Sequence, residues 1–402
     1  MSMNVPLVKI EKDLRSNAKS EVRVVVIDIL RGLTLFIMCM VNNLGDKNYA
    51  WIDHAEWNGL HLADLVFPSF LFLSGFSKFY SYKNHQKKMQ HEEVKGINGK
   101  RTKKRSFITK SAIRSLKLFL IGFSLNCLGG LLFYREHFFE YIRIFGVLQR
   151  IALCNFLVTV IIVISSAISL QILMMMVIMA TYVGLMLFYP VPECGTGVLD
   201  EFCSFESYFD KLVLKNHTWK RLPYDPEGFI STLTAAWSLF LGFELATFFD
   251  KYRDRATLKY LTLTLHIAAD LLIMFVSLAF FPINKSIWTP SFVFSTATIS
   301  TIIITVFLIV DKSIIFRKLS YPFKAFGMNP LICFVLADLL TLVFLKIQPG
   351  GTSIFTLIYH RICHFLFDNH DMLASVLNGL MYSIIWCLLA VLFDRKRIYI
   401  KV

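Results

Sequence analysis

The sequence predicts an all-α membrane protein of about ten crossing helices, and three observations carry that reading. Of its 402 residues, 55% are hydrophobic, and the mean hydropathy of +0.57 is far above that of a soluble domain. The apolar residues fall in runs of roughly 20, the length that spans a bilayer core. The basic residues behind the net charge of +14 gather in alternate connections. That is how orientation signals are arranged, and it argues against one face built for nucleic acid.

The polar first 22 residues read as a cytoplasmic arm with no cleavable leader, and residues 23–402 as one transmembrane domain. The expected spans lie near residues 24–41, 63–82, 111–133, 144–164, 167–188, 227–249, 258–281, 290–310, 323–345 and 373–393. The arm carries Lys9, Lys12, Arg15 and Lys19, and the second connection is dense in lysine and arginine from Lys83 to Arg114. Lys251, Arg253 and Arg255 mark the sixth connection, Lys312 and Arg317 the eighth, and Arg395 to Arg397 the tail. Both termini are therefore expected in the cytoplasm. Residues 83–105, rich in charge and poor in apolar side chains, read as a solvated loop in contact with anionic membrane lipids at most.

The long connection 189–226 falls on the opposite side. It is acidic, and its Cys194 and Cys203 can pair if that side is oxidising. Asn216 opens a glycosylation sequon there, and Asn284 opens a second one close to the membrane.

Ionisable groups inside apolar segments cost about 2.5–3.5 kcal/mol each at mid-helix, so those that persist are informative. Asp28 and Arg31 share a helix face, as an internal pair or a ligand contact. Asn42 and Asn43 end the first span, and His54, Trp57, Asn58, His61 and Asp64 follow in the next loop. This is the densest polar constellation near a membrane surface. A lone histidine there is ordinarily structural, and Asp64 with Pro68 also reads as a helix start. Further polar positions are Gln149 and Arg150 in the fourth span, Asp225 and Glu227 at the mouth of the sixth, Asn284 and Lys285 before the eighth, and Gly327, Asn329 and Pro330 in the ninth. Gly327 and Pro330 loosen a helix, which membranes allow beside a cavity. His360 and His364, with Cys363, Asp368 and His370 nearby, match no metal-ligand spacing well, and no metal is expected.

The stretches IDILRGL at 27–33, MVNN at 40–43, HAEWNG at 54–59, ADLVFP at 63–68, GVLQR at 146–150, YDPEG at 224–228, PINK at 282–285 and GMN at 327–329 together resemble the heparan-alpha-glucosaminide N-acetyltransferase family. The likeness runs from about Arg23 to the C-terminus. It implies a membrane-embedded enzyme that takes acetyl from cytosolic acetyl-CoA and delivers it to a terminal glucosamine amine of a glycan on the lumenal side. It also implies a homodimer in a lysosomal or related endomembrane, with the plasma membrane as an alternative. His54 matches the family's active-site histidine and Asn42 the asparagine beside it. The spacing is one residue longer here, which makes Asn43 a candidate too. The chain reads as a short form lacking the lumenal N-terminal domain, which weakens heparan sulfate as acceptor. Ala337 and Asp338 stand where the family has a His-Glu pair, so that helix's substrate contacts do not carry over. The cysteine loop at 192–210 resembles its family counterpart.

The expected chemistry brings an amine to a thioester, removes its proton and stabilises an oxyanion. His54 is either the general base or a transient acetyl carrier, with Asn42 or Asn43 beside it. Asn58 is a further oxyanion donor, and Asp53, Glu56 or Asp64 orients the imidazole. Trp57, Asn58, Asp64, Asp225, Glu227, Asn284 and Lys285 are the expected substrate contacts. Arg31, Arg150 and Asn329 are expected on the acetyl-CoA side, among many basic residues able to meet its phosphates. Transfer of another acyl group, or to another surface glycan hydroxyl or amine, is the nearest alternative. A proton-coupled transporter is the more distant one.

Overall fold

The computed structural model describes residues 24–94, 100–367 and 370–400, all helix, turn or irregular chain with no named strand among them. The N-terminal arm lies outside the described residues. The long helices are α1 (Val25–Val41), α2 (Leu62–Val94), α3 (Lys100–Tyr134), α4 (Val147–Ile164) and α5 (Ile168–Phe188). After the short α6 (Phe205–Val213) come α7 (Phe229–Lys251), α8 (Ala256–Leu278), α9 (Pro290–Val310), α10 (Tyr321–Met328), α11 (Pro330–Lys346) and α12 (Asp371–Arg395). Eight of these are long and apolar enough to cross a membrane, and the α10–α11 pair, bent by 86°, makes a ninth. With the 17-residue α1, every expected span has its helix.

Helix α7 is the centre of the bundle and almost wholly buried, whereas α8 is mostly exposed and lies at the periphery. Apolar lipid gives helices no reason to hide oily surface, so close packing must come from small residues that let backbones meet. An added Cβ at Gly75 of α2 would strike the Leu239 carbonyl of α7, and one at Gly242 would strike the Phe72 carbonyl. Gly32 of α1 and Gly327 of α10 meet in the same reciprocal way.

Two expectations need correcting. Residues 83–105 are not simply a loop, since α2 continues to Val94 and α3 begins at Lys100. Lysine, glutamine and glutamate favour helix once the turn below is formed, and here they extend both helices. The ninth span is not loosened but broken. Asn329 ends α10, and Pro330, which cannot donate to the turn before it, starts α11. The Asn329 amide takes over backbone duties there, donating to Ile398 O (2.8 Å) and accepting from Ile400 N (3.1 Å), which pins the C-terminal tail.

Candidate functional site

Three connections converge at one end of the bundle: the loop 42–61 between α1 and α2, the long connection 189–228, and the turn 279–289 between α8 and α9. In the first, His54 Nδ1 lies 2.7 Å from Asp64 Oδ1. The other oxygen, Oδ2, accepts from Ala55 N (3.0 Å) and His61 N (3.2 Å), so the carboxylate holds the loop around itself. Asp64 is buried, while the His54 side chain is 48% exposed. A buried anion with each oxygen engaged fixes the ring it binds, and Nε2 is then the nitrogen offered outward. Of the three carboxylates weighed from sequence, Asp64 holds the imidazole. Asp53 instead accepts from the His54 backbone N–H (2.8 Å) and from Asn48 (3.1 Å).

The turn 279–289 covers this dyad. Lys285 Nζ is 3.1 Å from His54 Nδ1 and 3.4 Å from Asp64 Oδ1. Asn284 is fully buried, donates to Asn58 Oδ1 (3.1 Å) and accepts from Ile287 N (3.0 Å). A residue so committed ties loop to turn, and the sequon at that position is closed to modification. Asn216 is exposed. Trp57 donates its indole N–H to Leu199 O (3.0 Å) and meets Tyr224 edge-on at 5.2 Å, joining the long connection to the His54 loop.

That connection is braced by a disulfide between Cys194 and Cys203. Asp225 is fully buried. It receives Arg143 on both oxygens (2.9 and 2.6 Å), together with Trp219 N (2.9 Å) and Glu227 N (2.9 Å). Arg143 also pairs with Glu227. Burial disfavours the Arg143 charge, but Glu227 and Asp225 together raise its pKa above the ordinary value. Asp225 is thus committed to holding the loop, and Glu227 is the member that keeps some exposure. On α6, Glu206 Oε1 accepts from Ser231 N (3.3 Å) and Asp210 Oδ2 from Asp225 N (2.9 Å), so this helix docks through one carboxylate on the start of α7 and through the other on the loop before it. Burial, with the Asp210 charge next, pushes Glu206 well above its usual range, and burial lifts Asp210 to about 7.

Asn43 belongs to a different group. Its side chain donates to Cys39 O (2.8 Å) and accepts from Thr341 (3.0 Å), and its carbonyl accepts from Asn378 (2.9 Å). Asn42 is the exposed C-cap of α1. Arg150 is fully buried, bonded to Ser231 and stacked under Trp288 at 4.9 Å. The histidines 360 and 364 pair separately with Asp46 (3.7 Å) and Asp371 (3.2 Å); Asp368 lies outside the described residues. Among the described residues no group of three metal-ligating side chains converges.

A cavity of about 1140 Å³ occupies the other half of the bundle. Arg31, Lys78, Lys83, Lys87, Lys110, Arg114 and Arg253 line it, with Leu35, Met38, Phe67, Phe70 and Phe334 as apolar wall. Its basic residues sit at the far end of α2 from the dyad: Lys83 follows Asp64 by about 30 Å of helix at 1.5 Å per residue. His54 does not line it. The wall toward the dyad includes Phe67, one turn from Asp64, packed edge-on against Trp288 at 5.3 Å. Of the three residues expected on this side, Arg31 lines the cavity, held by Ser77 and Asp28, while Arg150 and Asn329 do not. Sequence reading passed over Lys78, which is buried and bonded to Asn155 and Ser111. Its signal was plain: a lysine inside an apolar span.

Residues 23–208 match the family model for heparan-alpha-glucosaminide N-acetyltransferase, catalytic. The chain is 27% identical over 433 residues to the heparan-alpha-glucosaminide N-acetyltransferase of Homo sapiens, covering 94% of this chain and 59% of that protein. It is 27% identical over 431 residues to the Mus musculus protein of the same name, covering 94% and 60%. It therefore spans somewhat less than two thirds of the length of these curated relatives.

Proposed function

We propose that this chain, which carries the heparan-alpha-glucosaminide N-acetyltransferase catalytic signature over residues 23–208, is a transmembrane N-acetyltransferase. It moves acetyl from acetyl-CoA on the cytoplasmic side to the terminal glucosamine amine of a glycan on the lumenal side. The observation that carries the reading is the His54–Asp64 pair at 2.7 Å, with the second Asp64 oxygen locked by two backbone amides.

In this reading the cavity takes the coenzyme. Lys78, Lys83, Lys110 and Arg31 meet its phosphates as charge-assisted donors, and the apolar wall holds the pantetheine arm. The Phe67–Trp288 wall yields to let the thioester reach the dyad. Asp64 keeps the Nδ1 proton of His54 in place, so Nε2 is free to take the proton from the attacking amine. The C–N bond forms, the C–S bond breaks, and the proton passes to the departing thiolate. Transfer through an acetyl on Nε2 uses the same geometry and differs only in ping-pong kinetics. Asn58, four residues along the same loop and tied to Asn284, is the donor assigned to the oxyanion. The enzyme works as a homodimer in a lysosomal or related membrane, with Asn216 as its glycosylation site.

The test is acetyl transfer from labelled acetyl-CoA to glucosamine by the full chain in lipid. His54→Ala, shown to be folded, should lose about 10²- to 10⁴-fold in rate. Equal rates would remove His54 from the reaction.

A further inference from the structure

Imidazole Nδ1 has one position for a hydrogen bond, yet two groups of opposite demand reach it. Asp64 Oδ1 at 2.7 Å requires a proton on Nδ1, whereas the Lys285 amine at 3.1 Å, when charged, requires a lone pair there. The Asp64 carboxylate and the backbone that carries Lys285 are both held in place. Asp64 is fixed through its second oxygen by Ala55 and His61, and Lys285 follows the buried Asn284, which is bonded to Asn58 and Ile287. The turn ends at Trp288, fully buried with φ of +51°. We infer that Lys285 is a positioning residue: its charge offsets Asp64 at the His54 ring and so works against the second proton that the carboxylate alone would favour there.

The charges around the pair support this balance. Asp64 and Glu227 face Lys285 and hold its charge, Arg150 opposes it, and Asp53 engages the His54 backbone rather than the ring. Burial pushes the Lys285 amine below its ordinary value, and Asp64 and Glu227 pull it back. An imidazolium at His54 would gain Asp64 but would face an ammonium at hydrogen-bond distance. Without Lys285 the buried carboxylate acts alone and holds the imidazole proton to higher pH. Resting on the acetyl-transfer reading, this leaves His54 Nε2 available to accept the proton of the attacking amine.

The experiment compares the full chain in lipid as wild type, Lys285→Met and Lys285→Arg. The pH dependence of kcat/KM for acetyl transfer to glucosamine is measured alongside an NMR titration of isotope-labelled histidine. The His54 signal is identified by its disappearance in His54→Gln. In Lys285→Met the acid limb and the His54 midpoint should both move up by about one pH unit or more, and Lys285→Arg should restore them. Rates that fall equally at every pH, with the His54 midpoint unmoved, would make Lys285 an ordinary structural or substrate contact and overturn the inference. A wild type that transfers no acetyl at any pH would refute the function, while the NMR midpoint would still decide the role of Lys285.

Discussion

The His54–Asp64 pair makes Asp64 more than the helix cap that its position suggests. Replacing it by asparagine keeps the volume but offers the ring either a donor or an acceptor, so the Nδ1 proton is no longer fixed. Asp64→Asn should lower kcat by about 10²-fold or more with a smaller change in KM, measured at saturating acetyl-CoA. A fall confined to KM would refute the orienting role. His54 and Asp64 were both legible in sequence because only ten positions separate the loop residue from the first turn of α2. Lys285 was legible as a candidate but not as a neighbour of His54, because 231 positions separate them and nothing local encodes the meeting. Arg143 was missed for the same reason. It lies where a span was expected to begin, and its importance comes entirely from Asp225 and Glu227, far along the chain.

Helices were the easiest part to read, because hydrophobic length marks a span without any knowledge of its partners. Their ends and breaks were harder. Gly327 and Pro330 signalled a disturbance, but a bend of 86° depends on what receives the freed backbone groups. The α2–α7 crossing was invisible for a related reason: a glycine in a span is ordinary until the facing carbonyl is known. Gly242 supports a sharp prediction. A methyl group there meets the Phe72 carbonyl, and backbone yields poorly, so Gly242→Ala should destabilise the bundle by about 1–3 kcal/mol. Thermal unfolding in detergent reads this as a lowered midpoint, and an unchanged midpoint would mean that the helices do not cross so closely.

Across the molecule, a basic cavity and a carboxylate-rich loop layer occupy opposite ends of α2. The loop layer has its own dependence on acidity. Glu206 and Asp210 bind protons more tightly in the folded chain than an unfolded chain would, with Asp210 raised to about 7. Their contribution to stability is therefore complete below about pH 4 and is lost as pH rises through about 7. Hydrogen exchange of residues 205–213, corrected for intrinsic rates, should be slower at pH 5 than at pH 8. The reverse order would show that the α6 carboxylates are ionised throughout. At the other end, the broken helix has an electrical consequence. Pro330 and Leu331, the first residues of α11, line the cavity, so that helix starts beside it. Aligned peptide dipoles place roughly half a positive charge at a helix start. Such a charge belongs to the backbone, so no side-chain modification removes it, and within the bundle counter-ions screen it less than they screen surface lysines. An anion in the cavity would retain this attraction in salt strong enough to blunt the pull of the lysines at its mouth.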